Sequence, residues 1–288
     1  MTGVSSGIGR VAAKRLTERG HRLIGGACDI FSMEAAEIRP LDLNNFDAVH
    51  AFAGTLDATQ IDALVLNAGV QNYDVSGRTN QGFERTFDVN HLPHYLLARL
   101  LLSRIKSRGI IVFTASGTHN SAEKHPIPPP NHAYAEWLAY PAHDPHLDRR
   151  PAIAALRAYS SSKLCNVMTA RALATYPEVV GRGLHVFAYD PGLTPGTGLV
   201  RSAPFVVRRL IWPFFSLIQP FSSRMNSLAK SGRCLADLSD GTVSSEIAVY
   251  CSLRKGKPTW PTPSTVAQDD AACARLWRDS AAMVGLPA

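Results

Sequence analysis

A tyrosine and a lysine four positions apart are the side chains in this sequence best suited to acid–base chemistry. Tyr159 and Lys163 are the first and last residues of the segment YSSSK, and this spacing places both on one face of a helix. A phenol has a pKa of about 10 and exchanges protons poorly at neutral pH, whereas a neighbouring cation stabilises the phenolate. Lowering that pKa by about three units needs about 4 kcal/mol, which a lysine and a second positive charge can supply. A surface pair on an exposed helix is the alternative.

A glycine-rich turn, TGVSSGIG, opens the chain and leads directly into a predicted helix over residues 8–19. Glycines let the backbone approach a diphosphate, and the N–H groups of the helix N-terminus meet its charge. The turn therefore predicts a dinucleotide site, with a tight turn of no further function as the alternative. Its candidate contact residues are Thr2, Gly3, Ser5, Ser6, Gly7, Ile8 and Gly9.

A dinucleotide site of this kind needs a strand that leads into the turn, and here only Met1 precedes it. In a doubly wound sheet that strand is central, so its absence leaves two neighbouring strands without a partner. We expect the printed sequence to be a truncated form of a longer chain. A different segment that fills the gap is the alternative.

Small or polar residues follow three predicted strands at the edge where open α/β sheets bind ligands. Ser116 follows the strand at 110–115, and a proline and a glycine follow the strand that begins at 184. Asn90 lies in the middle of a predicted helix, where its side chain competes with the helical hydrogen bonds. The residues at the other two strand ends are Asn67, Ala68, Gly69, Pro191 and Gly192.

Apolar runs alternate with helical periods along the chain, which is typical of a parallel sheet wrapped by helices. The predicted fold is a Rossmann-type, doubly wound α/β fold with one domain over residues 1–288. Insertions at about 117–157 and 193–233 are expected to cover the substrate. The predicted helices span 8–19, 46–52, 81–105 and 158–175, and the predicted strands span 21–27, 61–66, 110–115 and 184–188.

The 288 residues carry a net charge of +7, and its location indicates a ligand. Between Pro191 and Ala236 there is no acidic residue, and many large apolar side chains stand among the basic ones. This pattern favours a lipophilic substrate with an anionic group, or contact with a membrane surface. A buried helix pair is the alternative, and no nucleic-acid motif accompanies the charge. The basic residues are Arg201, Arg208, Arg209, Arg224, Lys230 and Arg233.

Five scattered cysteines without a CxxC pair argue against a disulfide framework and a zinc site, and are typical of a reducing compartment. No apolar run reaches the roughly 18 residues of a membrane span, and no secretory signal is visible. We therefore expect a cytoplasmic protein. Two histidine pairs have metal-ligand spacing but no third ligand, so we expect no metal. They are His91 with His94 and His143 with His146.

Taken in order, these motifs resemble the short-chain dehydrogenase/reductase superfamily over nearly the whole chain. The branch that they resemble most contains the protochlorophyllide reductases and the retinol dehydrogenases. The stretches that carry this second resemblance are GFERTFDVNHLPHYLLARLLL (82–102), YSSSKLCNVMT (159–169), DPGLTPGTGL (190–199) and LWRDSAAMVGL (276–286).

The resemblance implies a role for each matching residue. Tyr159 is then the general acid or base for hydride transfer between a nicotinamide and a bulky lipophilic alcohol or carbonyl compound, and Lys163 lowers its pKa and holds the nicotinamide ribose. Ser116 holds the substrate oxygen, and Asn90 holds a water in the proton relay. Further cofactor contacts are expected from Asp42 and Leu43 at the adenine, from residues 67–69 and 191–192, and from Thr194 and Thr197.

Two departures from the family pattern leave the cofactor and the substrate open. No basic residue stands just after the strand at 21–27, where the branch usually holds the 2′-phosphate of NADP, and Asp29 there favours NAD. Leu193 stands where protochlorophyllide reductases carry a cysteine, which favours a dark reaction over a light-driven one. A light-dependent tetrapyrrole reductase and a non-catalytic ligand-binding protein of the same fold remain alternatives. Family habit also implies a homo-oligomer.

Overall fold

The central sheet of the computed structural model is built from short, buried apolar runs. The structure describes residues 1–56, 58–123, 125–197 and 225–288. Four strands pair in parallel in chain order, and a short fifth strand runs antiparallel at the edge. These strands are β3 (Ile61–Leu66), β4 (Ile105–Thr114), β5 (His185–Asp190), β6 (Tyr250–Arg254) and β7 (Lys257–Thr259).

Two further strands form a separate parallel pair, β1 (Leu23–Ala27) and β2 (Ala36–Pro40). Between β1 and β3, Met1 and Thr2 are the described residues that hold the position of a strand. Thr2 forms a parallel bridge with Gly26, and its N–H donates to the carbonyl of Val65 over 2.9 Å. The expected α/β class with a parallel sheet is confirmed.

Helices cover both faces of the sheet, as a doubly wound fold requires. On one face, Leu16 and Leu235 belong to one buried cluster, and on the other Leu92, Leu164 and Leu276 belong to a second. No described helix combines the length and the hydropathy that a membrane crossing needs. The helices are α1 (Gly7–Glu18), α2 (Phe46–Gly54), α3 (Arg85–Leu101), α4 (Ala135–Ala139), α5 (Pro151–Ala174), α6 (Pro177–Gly181), α7 (Leu228–Ser239), α8 (Thr265–Gln268) and α9 (Asp270–Met283).

Three predicted boundaries are wrong for identifiable reasons. Helix α5 begins at Pro151, seven residues before the predicted start at 158, because proline is well suited to the first position of a helix. Residues 151–157 are therefore helical. Helix α3 begins after Glu84, whose carboxylate accepts from the N–H groups of Thr86 and Phe87. Strand β4 begins at Ile105, five residues early, through an exposed polar stretch that no apolar pattern marks.

The second predicted insertion, 193–233, lies largely outside the described residues. Among its basic side chains, only Lys230 and Arg233 are described, and both are exposed on α7. In the first insertion, 117–157, the described residues form short 3-10 turns and helix α4 ahead of the start of α5.

Asp88 is a buried carboxylic acid near the start of α3, the helix that carries Asn90. Thr79 donates a short hydrogen bond to Asp88 Oδ2, and Oδ1 has no hydrogen-bond partner among the described residues. Burial, and after it the neighbouring Glu84, raise the pKa of Asp88 from 3.8 to about 7. The folded chain therefore holds this proton more tightly than the unfolded chain.

This shift predicts that Asp88→Asn stabilises the protein in a pH-dependent way. The stability that the protonated acid provides is present below a pH of about 4 and is lost as the pH rises through about 7. The neutral amide does not titrate, so the free energy of unfolding of the variant should exceed that of the parent by up to about 4 kcal/mol at a pH of about 8. At a pH of about 4 the two should differ little. Urea unfolding at both pH values measures this, and an equal difference at both would contradict it.

Candidate active site

Tyr159 and Lys163 lie on the buried face of α5, as the sequence predicts, next to the end of β4. The Nζ atom of Lys163 donates to the carbonyl of Thr114 over 3.0 Å and lies 5.8 Å from the centre of the Tyr159 ring. Burial lowers the pKa of Lys163 to about 8. The ammonium is thus held close to the phenol by a backbone carbonyl of the central sheet.

The phenol of Tyr159 faces a hydroxyl and a carboxylate. Burial is the main cause that raises the pKa of Tyr159, and the carboxylate of Asp190 raises it further, while a hydrogen bond with Ser116 lowers it. Ser116 follows β4, and its Oγ accepts from the N–H of Thr118 over 3.3 Å. The phenol therefore keeps its proton at neutral pH.

Asn90 joins the two central helices to the end of β3. Its Oδ1 accepts from the N–H of Val70 over 2.7 Å, and its Nδ2 donates to the carbonyl of Val70 and to Ser162 Oγ over 2.9 and 3.0 Å. Asn166 Nδ2 donates to the backbone carbonyls of Asn90 and Thr114, over 3.1 Å each. The side-chain amide of Asn90 is therefore fully hydrogen-bonded to groups outside its own helix.

The glycine-rich turn has the backbone that a diphosphate site requires. Gly3 and Gly7 adopt φ values of +71° and +59°, which only glycine adopts readily. A Cβ on Gly9 would lie 2.1 Å from the carbonyl oxygen of Gly3. Ser6 caps α1 without a side-chain hydrogen bond, and the first turn of α1 contains no acidic residue. Ser5 is exposed and Ile8 half-buried beside it, so the helix N-terminus is open to an anion.

The turn, the end of β3 and the lysine converge on one place. A Cβ on Gly3 would lie 2.8 Å from both Ala68 Cα and Asn67 Nδ2. A Cβ on Gly69 would lie 3.2 Å from Asn90 Oδ1 and 3.3 Å from Lys163 Nζ. Asn67 Oδ1 also accepts from Thr114 at the end of β4, over 3.2 Å. The structure thus brings together the strand ends that the sequence singles out.

The predicted adenine contacts lie at the ends of β1 and β2. Asp42 Oδ1 accepts from the backbone and side-chain nitrogens of Asn44 over 2.9 and 2.8 Å, and the Cys28 thiol approaches it to 3.9 Å. Leu43 is buried, and Asp29 is exposed just after β1.

At the end of β5, Gly192 N–H donates to Asp190 Oδ1 over 2.9 Å after the buried Pro191. The hydroxyl of Thr194 is bonded to Ser231 Oγ over 2.8 Å, and Thr197 is half-buried. Asp190 Oδ2 also accepts from Ser252 Oγ over 2.7 Å. Sequence reasoning quoted Asp190 as part of a motif and missed its carboxylate beside Tyr159.

A second functional neighbour that sequence reasoning missed is His94, which bridges α3 to the glycine-rich turn. Thr2 Oγ1 accepts from the N–H groups of Asn67 and Ala68 over 2.9 and 3.0 Å, so its own proton points to His94 Nε2, 3.1 Å away. His94 Nδ1 then carries the proton and donates to the carbonyl of Asn90 over 3.1 Å. Burial, and after it the charge of Lys163, lower the pKa of His94 to about 3. The imidazole is therefore neutral.

His91, the other histidine of that pair, is also bonded to protein side chains. His91 Nε2 lies 2.9 Å from Ser280 Oγ, and its Nδ1 lies 3.4 Å from Asn166 Oδ1. Within the described parts of the chain, no group of three histidine, cysteine or acidic side chains is arranged to hold a metal ion.

Comparisons with known proteins identify relatives of this chain. A family model described as short chain dehydrogenase matches residues 1–126. The human retinol dehydrogenase 12 is 30% identical over 99% of this chain and 85% of its own length. The chain belongs to the short-chain dehydrogenase/reductase family. The protochlorophyllide reductase of Avena sativa is 29% identical over 99% of both chains, so both branches that the motifs resemble are found among the relatives of this short-chain dehydrogenase/reductase.

A solved structure shows the same fold. The 3-ketoacyl-(acyl-carrier-protein) reductase of Brucella melitensis, complexed with NADH, is 20% identical over 88% of this chain and 95% of its own, with a TM-score of 0.60. The oxidoreductase class expected from the motifs is confirmed by the family.

The bonding of Thr2 predicts that its hydroxyl stabilises the fold. Thr2→Val keeps the shape but leaves two N–H groups and His94 Nε2 unpaired, so it should lower the free energy of unfolding by about 2 to 4 kcal/mol. Thr2→Ser keeps the hydroxyl and loses one methyl group, at a cost of about 1 kcal/mol. Urea unfolding of both variants measures the difference. Equal stability of the two would show that the hydroxyl does not hold these groups.

Proposed function

We propose that this chain transfers hydride between a nicotinamide dinucleotide and a bulky lipophilic alcohol or carbonyl compound, with Tyr159 as the general acid or base. The observation that supports this most strongly is the placement of the Tyr159 phenol, between Ser116 and the Lys163 ammonium, beside a glycine-rich turn that fits a diphosphate. Both lie at the carboxyl edge of the sheet, where open α/β folds bind their ligands.

The residues of the turn fit a dinucleotide. The diphosphate would be held by Thr2, Gly3, Ser5, Ser6, Gly7, Ile8 and Gly9. The adenosine half would be held by Asp29, Asp42 and Leu43. The nicotinamide half would be held by Asn67 to Gly69, Tyr159, Lys163, Pro191, Gly192 and Thr194. When bound, the nicotinamide supplies or accepts the hydride. Asp29 is exposed where a ribose hydroxyl would lie, and no basic residue precedes it from Gly25 onward, which supports NAD without excluding NADP.

The acid–base step belongs to Tyr159. Because burial and Asp190 raise the pKa of the phenol, the resting tyrosine is protonated and is ready to donate to a carbonyl oxygen. In the oxidation direction it must first lose that proton, and the neighbouring Lys163 ammonium stabilises the phenolate. Ser116 would donate to the same substrate oxygen as negative charge develops on it. Asn90, whose side chain is fully bonded, would position a relay water through its place beside Lys163.

A lipophilic substrate is supported by the relatives and by the first insertion. The names of two relatives specify retinol and protochlorophyllide, both large apolar molecules. In the insertion, Tyr134 packs against Trp137 with 4.7 Å between ring centres and the rings tilted by 54°, and Tyr134 and Tyr140 are exposed. These aromatic side chains would form one wall of the substrate cleft. The basic residues in the sequence segment 193–233 favour an anionic group on the substrate.

A light-dependent tetrapyrrole reductase is the second candidate, because one relative that matches over 99% of its length is a protochlorophyllide reductase. Leu193 at the position after Gly192 argues against it. Purified protein that carries pigment absorbance, with turnover that requires illumination, would favour this candidate over the dark reaction.

The proposal predicts that Tyr159→Phe reduces turnover by at least about 100-fold and leaves dinucleotide binding nearly unchanged, because the ring stays and only the proton donor is lost. The first assay is the reduction of retinaldehyde by NADH or NADPH in the dark. The absorbance of the reduced nucleotide measures its rate. Tyr176→Phe is the matched control, because the Tyr176 ring packs against Trp277. This substitution should leave the rate unchanged.

Two results would contradict the proposed roles. Parental turnover by Tyr159→Phe would show that another group moves the proton. If the parental chain binds a lipophilic carbonyl compound but neither nucleotide, the result would favour a non-catalytic ligand-binding protein.

A further inference from the structure

Asp190, the last residue of β5, is a buried carboxylate that borders the candidate active site and takes no part in the proposed proton transfer. Its exposed fraction is 3%. Its Oδ1 accepts from the N–H of Gly192 over 2.9 Å, and its charge acts on the phenol of Tyr159. A Cβ on Gly117, which follows Ser116, would lie 3.0 Å from Asp190 Oδ2. The carboxylate is therefore close to both the turn after β5 and the candidate acid–base residues.

Two hydroxyl groups and the backbone N–H of Gly192 hold this carboxylate in place. Ser252 Oγ accepts from Arg254 Nε over 2.8 Å, so its own proton points to Asp190 Oδ2, 2.7 Å away. The hydroxyl of Tyr250 donates to the same oxygen over 3.3 Å. Donors on both oxygens fix the orientation of the side chain and suit its charged form.

No cation forms an ion pair with Asp190 in the part of the chain that the structure describes. The guanidinium of Arg254 is bonded to Glu123 and reaches Asp190 through a serine hydroxyl. The ammonium of Lys163 donates to a backbone carbonyl of β4, and burial lowers the pKa of His119, so that ring is neutral. Because a buried charge gains most from a partner of opposite sign, this carboxylate is suited to a cationic ligand.

A nicotinamide dinucleotide has such a charge in one of its two redox forms. The nicotinamide ring is a cation when it is oxidised and is neutral when it is reduced, whereas the diphosphate and the adenosine are the same in both forms. Asp190 neighbours Gly192 and Tyr159, which are among the residues proposed to hold the nicotinamide half. Opposite charges attract more strongly in a site from which water is excluded than in solution. The carboxylate would therefore distinguish the two forms.

We propose that Asp190 is the counter-ion of the oxidised nicotinamide and raises the affinity of the chain for the oxidised nucleotide relative to the reduced one. This inference rests on the proposed function, because it requires a nicotinamide in this site. In the reduction direction, hydride leaves the ring with both bonding electrons and joins the carbonyl carbon, while Tyr159 gives its proton to the carbonyl oxygen. Asp190 would stabilise the positive charge that this transfer leaves on the ring.

The first test compares the affinities for the oxidised and the reduced nucleotide in the parent and in Asp190→Asn. Nucleotide fluorescence gives the Kd of NADH and NADPH, and calorimetric titration gives the Kd of NAD⁺ and NADP⁺. The ratio of the oxidised to the reduced Kd cancels the contacts that both forms share. Because asparagine keeps the shape and loses the charge, this ratio should rise by at least roughly tenfold in the variant. An unchanged ratio in folded Asp190→Asn would overturn the inference.

Two further variants separate the charge of Asp190 from its shape. Asp88→Asn is the matched control, because it makes the same change at a buried acid that is bonded to Thr79, and it should keep the ratio of the parent. Asp190→Glu keeps the charge and should stay within roughly threefold of the parental ratio. An equal rise in Asp88→Asn, or the same rise in Asp190→Glu as in Asp190→Asn, would show that the charge of Asp190 is not the cause.

The same titrations distinguish a failure of this inference from a failure of the proposed function. If the parent binds neither form of either nucleotide, the proposed function fails and this inference fails with it. If the parent binds both forms and Asp190→Asn leaves the ratio unchanged, the role of Asp190 alone is wrong. If that variant does not fold, the parent decides. It should bind the oxidised form no more than roughly threefold less tightly than the reduced form, and a larger preference for the reduced form would overturn the inference.

Discussion

The hydroxyl of Thr2 is the point on which the geometry of the whole site depends. It accepts from the N–H groups of Asn67 and Ala68 and donates to His94, so one oxygen joins the glycine-rich turn, the end of β3 and helix α3. Among the described residues, Met1 and Thr2 bridge β1 to β3, so the bonds of Thr2 also connect the two parts of the sheet.

A network of buried, hydrogen-bonded polar groups connects Thr2 to Lys163. His94 holds the carbonyl of Asn90, Asn166 holds that carbonyl and the one of Thr114, and Lys163 also donates to Thr114. Networks of this kind are rigid, because each missing partner leaves a buried polar group unpaired. The ammonium of Lys163 is therefore fixed near the phenol before any ligand arrives, so little reorganisation is needed at the moment of proton transfer.

The sequence predicts the site better than the outline of the fold. Asn67 and Ser116 meet because the carboxyl ends of parallel strands share one edge, a property that short apolar runs reveal. Tyr159 and Lys163 join them because their spacing of four places both on one face of α5. The bond between Thr2 and His94 has no such signal, since it joins residues 92 positions apart through side chains alone.

Strand β2 is missed for another reason: its sequence AEIRP has neither an apolar run nor a clean alternation, and pairing with β1 decides its conformation. The carboxylate of Asp190 is equally invisible in sequence, because its effect on Tyr159 depends on how β5 lies beside β4.

The central claim is that the turn at Thr2 to Gly9 binds a nicotinamide dinucleotide beside Tyr159. Titration of the 288-residue chain with NADH and NADPH, followed by nucleotide fluorescence, tests it most directly. We expect a Kd of about 10 µM or below for one of them, weakened by at least roughly tenfold in Ser5→Asp, whose carboxylate repels the diphosphate. The absence of binding by both nucleotides, or equal binding by the parent and Ser5→Asp, would contradict the account.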